Sequence, residues 1–389
     1  MKIAIIGCGN AGSKIVDKCL EYQLATERDF ISHAIAVNSA SVDFQALEFI
    51  AESARVLIGE AEVKGHGAGT DNTVGKKVAE DDIHQIQRAI GDVPVHEIDA
   101  FIVAAGFGGG TGSGAAPVIA EHIQTSYDEP VYGLGVLPSR NEGGVYQLNT
   151  ARSFPSLVRN TDSVIVFDNE VWQTASDSVS DSYDKANLEI AKRFVTLFGA
   201  GEDDGSTGAE NAVDSSEIIK TLDCGGVASI GFSTAQANGG KASGGLLSRF
   251  SENGTGEKGD ERNETKVVGL IRQATTGQLT LPCNVESTTK ALALVSGPEE
   301  EMSRSGIESG RRWLEDHCDS LEVRGGDDPR PRKDVVGLVL LAGITECSRI
   351  DEFQEQATQA QRSMTELEAD VEERTESLIT DEGGEIDPL

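Results

Sequence analysis

Gly106-Phe107-Gly108-Gly109-Gly110-Thr111-Gly112-Ser113-Gly114 follows directly on the apolar run Ile98-Asp99-Ala100-Phe101-Ile102-Val103-Ala104-Ala105, and Ala115-Ala116-Pro117-Val118-Ile119-Ala120 comes next. The apolar run reads as a buried strand and the last segment as a helix, so the glycines form a strand-to-helix turn. Glycine lets successive backbone N–H groups converge on one point. A helix N-terminus behind the turn adds free donors and a positive dipole end. The ligand that suits both is phosphate. Five glycines within residues 108–114 exceed what turns and bulges ordinarily use and are hard to justify by packing alone, so the cluster reads as a cradle. The spacing G-x-x-x-x-G-K-[ST] occurs nowhere in the chain, which leaves a phosphate cradle of a kind other than the P-loop.

Outward from this turn, strand and helix alternate. Residues 2–6 form a strand that empties into Gly7-Cys8-Gly9-Asn10-Ala11-Gly12 and a helix to about Leu24. Ala34 to Asn38 and the short Val56 to Ile58 are further strands, the latter leading to Gly65-His66-Gly67-Ala68-Gly69-Thr70-Asp71-Asn72. Residues 74–90 have helical spacing, Val131 to Leu137 is a strand, 143–159 a helix, and Ser163 to Phe167 a strand. This alternation predicts an α/β fold, a doubly wound parallel sheet with ligand loops at the carboxyl ends of the strands. A long central helix over 183–199 joins it to a smaller α+β domain, with the first domain at 1–182 and the second at 200–349. The second contains strands at Val227 to Ser233, Leu292 to Ser296 and Val335 to Ala342, and a helix at 304–317. The loop over 201–210 is polar, and 250–264 reads as a surface insertion. Residues 350–389 read as an acidic helix, carried by Phe353, Ala357, Ala360, Met364, Leu367 and Val371, with a disordered end.

Charge narrows the function. The 389 residues carry 65 Asp plus Glu against 33 Lys plus Arg, a net charge of −32. Such a surface repels nucleic acid and anionic membrane. The last 39 residues hold 13 acids and 2 bases, only −11 of the −32, so the excess is spread over the folded part. A diffuse acidic surface with Arg exceeding Lys fits a salt-accumulating halophile, where the Debye length falls to about 3 Å near 1 M salt. In low salt the chain's own repulsion should destabilise it, which a melting temperature rising with KCl would show. Six cysteines without a C-x-x-C pair fit a reducing compartment. No stretch approaches the roughly 18 apolar residues that span a membrane. We therefore expect a soluble, cytoplasmic protein.

The run G-x-G-x-x-G at Gly7, Gly9 and Gly12, after a strand, also matches the dinucleotide fingerprint, so an NAD-dependent dehydrogenase is one reading. That fingerprint wants an acid at the end of the second strand, where this chain has Asn38. It also gives the two other glycine loops no role.

Taken together, the loops resemble the tubulin/FtsZ superfamily, whose G-G-G-T-G-S-G signature is matched at Gly108, Gly109, Gly110, Thr111, Gly112, Ser113 and Gly114. The resemblance runs through nearly the whole chain in family order. It implies that Gly9, Asn10, Ala11, Gly12, Ser13 and Lys14 form the first phosphate loop, that Asn38-Ser39-Ala40 falls at the second, and that Ala68, Gly69 and Thr70 lie near the terminal phosphate. It places Glu142, in Pro138-Ser139-Arg140-Asn141-Glu142-Gly143, on the ribose, and Asn169, in Asp168-Asn169-Glu170, on guanine. Tyr183 and Asn187, one helical turn apart, are placed on the base; alone they would be ordinary surface residues. The family's paired acids after the central helix are matched by Asp214 and Glu217, which would position water against the neighbouring subunit's nucleotide. Taken alone, the pair is a solvated helix start. The family's Asn two residues before the first acid is Ala212 here, with Asn211 at three.

The segments N-E-G-G, F-D-N-E and V-D-S-S-E-I, with the halophilic charge, are most similar to the haloarchaeal CetZ group, tied to cell shape and motility. The implied function is a GTP-binding, filament-forming cytoskeletal GTPase that uses GTP/GDP and Mg²⁺, with no metal ligand among its side chains and with itself as partner in a head-to-tail protofilament. Neither nucleic acid nor membrane insertion is implied. The alternative is a nucleotide-dependent scaffold, or a modulator of other filaments, that does not turn over.

Overall fold

The computed structural model describes residues 1–172, 179–200, 202, 213–237, 257–318, 320, 322–356, 358 and 359. Ten strands form one sheet: β1 (Ile3–Cys8), β2 (Ile31–Asn38), β3 (Arg55–Leu57), β4 (Ala100–Gly106), β5 (Val131–Leu137), β6 (Ser163–Asp168), β7 (Val227–Gln236), β8 (Lys290–Gly297), β9 (Glu322–Pro329) and β10 (Asp334–Ile344). Their order is β3-β2-β1-β4-β5-β6-β7-β10-β8-β9. The first six pair in parallel, and every residue of β1, β5 and β6 is buried, as expected for strands covered on both faces. The order reverses between β1 and β4. That switch point is where an open α/β sheet leaves a crevice for a ligand, and both the Gly7–Gly12 and Gly106–Gly114 turns open there.

The helices are α1 (Gly9–Ala25), α2 (Glu60–Val63), α3 (Asn72–Asp81), α4 (Ile83–Gly91), α5 (Gly110–Ser126), α6 (Gly144–Arg159), α7 (Val179–Phe198), α8 (Ser215–Leu222), α9 (Glu257–Thr276) and α10 (Arg304–Cys318). They cover the sheet in two layers. One core contains Ile86, Ile119, Phe154 and Leu157 together with Val267, Ile271 and Leu314. The other contains Ile15 and Cys19 of α1, Ile190, Phe194 and Phe198 of α7, and Ile218 and Leu222 of α8. The central helix α7 therefore lies over one face, with its apolar stripe in the same core as Leu292 and Leu338 of the far strands. This is an α/β fold with a parallel first half and a mixed second half. Its two halves join through β6 and β7 at Val164–Val227 and Ile165–Ala228.

Several expectations are refined or corrected. The helical spacing over 74–90 is borne out as two helices that meet at Asp82, whose carboxylate accepts from Gly59 N at 2.6 Å and Gln85 Nε2 at 3.0 Å. Residues 257–264 are not an insertion but the first turns of α9, which enters the core at Val267; 250–256 lie outside the described residues. Strand β9, E-V-R-G-G-D-D-P, was not expected at all. It pairs in parallel with β8, and its buried Asp328 meets Arg28 of the first half. The C-terminal helix starts at residue 348, and the expected tail over 360–389 lies outside the described residues. So do Asn211, Ala212 and most of the polar loop over 201–210.

Candidate functional site

Two helix starts meet at the switch point. Cys8 ends β1 beside Ala105 of β4, and α1 begins at the next residue, Gly9, with φ +68°. Helix α5 begins at Gly110 behind Gly109. Neither helix has a side-chain cap or an acid in its first turn, in a chain with 65 acids. Their N-terminal N–H groups and positive dipole ends are left for an anion.

Most of the glycines expected as a cradle also serve close backbone packing. A Cβ at Gly112 would stand 2.8 Å from Cys8 O, at Gly110 2.8 Å from Asp71 N, and at Gly9 2.6 Å from Gly112 N. At Gly114 it would run into Asn72 O, at Gly75 into Gly110 O, and at Gly12 into Ala104 O. These glycines let α1, α3 and α5 approach one another and the strands β1 and β4 backbone to backbone. At Gly109 a Cβ would meet nothing within 4 Å; it is the signature glycine facing open space.

Within the first loop, Asn10, Ala11 and Lys14 are exposed, whereas Gly12 is buried and Ser13 Oγ turns inward to Gly7 O at 3.3 Å. Asn38 is occupied by the turn after β2: its Oδ1 accepts from Ser39 N at 2.8 Å and its Nδ2 donates to Asp43 at 2.9 Å. Ser39 Oγ in turn meets Thr111 Oγ1 at 2.6 Å. In the third loop Gly65, Gly67, Gly69, Lys64 and Thr70 all have positive φ, a strained path for the two non-glycine residues. Asn149 of α6 holds that loop in place, donating to Thr70 O at 2.6 Å and Gly108 O at 2.9 Å. Ala68 is buried beneath it, and Asp71 caps α3 through Thr73 N at 2.8 Å. The Thr73 bonds hold the Asp71 carboxyl below the usual range.

Of the expected sugar and base residues, Glu142, Asn169 and Tyr183 come together. Glu142 Oε1 accepts from Ser139 N at 2.8 Å and Asn169 Nδ2 at 3.4 Å. Burial pushes the Tyr183 hydroxyl up, helped by the charge of Glu142 and a hydrogen bond to it. Asn187 lies one turn along α7, half-buried. Behind them stands Arg349, absent from the sequence reading, which pairs with Asp168 at 3.1 Å. Burial raises the Asp168 carboxyl against the pull of that guanidinium. No local signal marks Asn149 or Arg349, because their partners lie far away in the chain.

Asp214 and Glu217 are not part of this cluster. Asp214 caps α8, accepting from Glu217 N at 2.9 Å and Ser216 Oγ at 2.7 Å, and these bonds lower its pKa. Glu217 is half-buried, and burial followed by the Asp214 charge pushes its carboxyl up. Lys290, first residue of β8, ties Lys220 O at 2.9 Å to this region, and α8 leads into β7 at Val227, opposite Val164 near the start of β6. The acids therefore sit at the opposite end of the strands from the glycine turns, a β6 length of roughly 17 Å away.

Residues 2–177 match the family model described as "Tubulin/FtsZ family, GTPase domain", and 176–359 match "Tubulin-like CetZ, C-terminal domain". Tubulin-like protein CetZ1 of Haloferax volcanii is 48% identical over 375 residues, 94% of each chain. The chain belongs to the CetZ group of the tubulin/FtsZ family. CetZ3 of the same organism is 46% identical over the full length of both chains. Among solved structures, the GDP-bound monomer of H. volcanii CetZ1 superimposes with TM-score 0.83 at 45% identity, covering 93% of this chain and 100% of that one. The GTPγS-bound protofilament of H. volcanii CetZ2 gives 0.82 at 36% identity, covering 94% and 100%. The CetZ membership displaces the dehydrogenase reading. No helix among the described residues is long and apolar enough to cross a membrane.

Proposed function

We propose that this CetZ-group chain binds GTP at the β1/β4 switch point and hydrolyses it at the junction between subunits of a head-to-tail filament serving cell shape or motility in the cytoplasm. The starts of α1 and α5 hold the phosphates, with Ala68, Gly69 and Thr70 near the terminal one. Glu142 holds the ribose, and Asn169, Tyr183 and Asn187 hold the base. The observation that carries the reading is the separation along the strands. A chain whose phosphate cradle and paired acids lie at opposite ends of its sheet completes a hydrolytic site only by stacking on another copy.

Among the described residues no three His, Cys, Asp or Glu side chains converge as metal ligands. A Mg²⁺ that came with the nucleotide would be held by phosphate oxygens and water, as this ion prefers. When bound, it would neutralise charge on the phosphates. The residues themselves bind the nucleotide at one end and orient water at the other.

The test is GTP hydrolysis against protein concentration in molar KCl with Mg²⁺, with sedimentation of the same samples. We expect a threshold followed by a rise steeper than linear, with protein in the pellet. Tight GTP binding with neither turnover nor pelleting would replace this reading with the scaffold.

A further inference from the structure

Arg349 stands at the second position of the helix over 348–356, outside every motif, and is 2% exposed. Its guanidinium uses three directions. Nε donates to Asp168 Oδ2 at 3.1 Å, Nη2 to Pro138 O at 2.6 Å, and Nη1 to Glu352 Oε2 at 2.9 Å. Its face lies 4.4 Å from the centre of the Phe353 ring. Pro138 immediately follows β5 and Asp168 ends β6. The next residues in each case are the ones that gather around the nucleoside end of the site: Ser139 to Glu142 after β5, Asn169 after β6. One buried cation from the C-terminal helix thus fixes the roots of both loops.

A buried arginine is costly unless its donors are used, and the planar fork of guanidinium suits two acceptors set at an angle better than an ammonium does. The exposed chain around it is of another kind. Arg140 meets Glu352 at 2.6 Å, but these side chains are 50% and 37% exposed, so molar salt screens them. The Arg349–Asp168 pair, at 3% and 4% exposure, is shielded from that screening.

We propose that Arg349 is a positioning residue for the guanine nucleotide, setting the spacing between the sugar loop at Ser139–Glu142 and the base loop at Asn169 from the C-terminal half of the chain. It touches neither water nor phosphate in the reaction, so it acts on affinity and not on the hydrolytic step. The inference rests on the proposed GTP site.

The experiment is binding of a fluorescent GTP analogue and steady-state hydrolysis in molar KCl for the wild type, Arg349→Gln, Arg349→Lys and Glu352→Gln, each with a thermal melt. Arg349→Gln should weaken binding about tenfold and raise KM alike while kcat at saturating GTP stays within about twofold. Arg349→Lys keeps the charge and the fold but cannot serve Asp168 and Pro138 together, so it should weaken binding by a few-fold. Glu352→Gln keeps an amide oxygen as acceptor for Arg349 Nη1 and gives up only the charge of a partly exposed side chain, so it should stay close to the wild type. A lowered melting temperature with wild-type affinity in both Arg349 variants would make the residue a plain structural brace and overturn the proposal. Should Arg349→Gln fail to fold, wild-type affinity in Arg349→Lys would overturn it equally. A wild type that binds no guanine nucleotide would overturn the GTP site and this proposal together.

Discussion

Replacing Glu217 by Gln should leave GTP binding and sedimentation intact and lower turnover at saturating GTP by about a hundredfold or more, the usual effect of losing a group that orients and polarises an attacking water. The two acids are not equivalent, and the structure says how to separate them. Asp214 is the cap of α8 as well as a carboxylate. Asp214→Ala therefore mixes two effects, lost turnover and about 1 kcal/mol of lost helix capping. Asp214→Asn keeps the cap and removes only the charge. We expect it to melt like the wild type and hydrolyse poorly. The pH dependence carries a sign. Glu217 must be ionised to polarise water, and burial and Asp214 both raise its pKa, so activity should fall on acidification sooner than an ordinary glutamate would impose. Docking against a neighbour's phosphates would push the same way. Wild-type turnover in Glu217→Gln would falsify the role of the pair.

The second large effect lies in the glycine turn, where neighbouring positions should respond in opposite ways. Gly112→Ala forces a methyl against Cys8 O at 2.8 Å and Gly106 O at 3.1 Å. Backbone is all it meets, so no rotamer relieves the clash. A loss of about 2–3 kcal/mol is expected, read as a drop in melting temperature of several degrees. Gly109→Ala has room, with φ −75° and nothing within 4 Å. The poorer N-cap is offset by the reduced freedom of the unfolded chain, so its melt should be close to wild type. Its methyl, however, stands on the open wall of the turn, where a phosphate would rest against the N–H groups. GTP affinity should fall about ten- to a hundredfold. Unchanged affinity in Gly109→Ala would remove the turn from phosphate binding, whatever Gly112→Ala does.

The parallel half was legible because β1, β4, β5 and β6 are continuous apolar runs, and the glycine turns after β1 and β4 mark where strand gives way to helix. The second half was harder. Strand β9 pairs in the sheet although E-V-R-G-G-D-D-P has the composition of a turn; its buried Asp328 is satisfied by Arg28, 300 residues away. The start of α9, E-K-G-D-E-R-N-E, shows no apolar stripe until Val267. In the site, the glycine positions were legible but their division of labour was not. Whether a glycine faces a ligand or another helix depends on which helix crosses it. Arg349 left no trace for the same reason: its partners Asp168 and Pro138 lie 181 and 211 residues away.

The uncapped starts of α1 and α5 contain Gly9-Asn10-Ala11-Gly12 and Gly110-Thr111-Gly112-Ser113, with no formal charge of either sign. Recognition built on peptide dipoles is neutral overall and acts at contact range, so it gathers no counterions that strong brine could strip away. A lysine-and-arginine pocket would lose its hold as ionic strength climbs. In the proposed site the grip on an anion rests on peptide dipoles, with Lys14 the cation of the first loop, so the outer shell is free to become as acidic as solubility in brine demands.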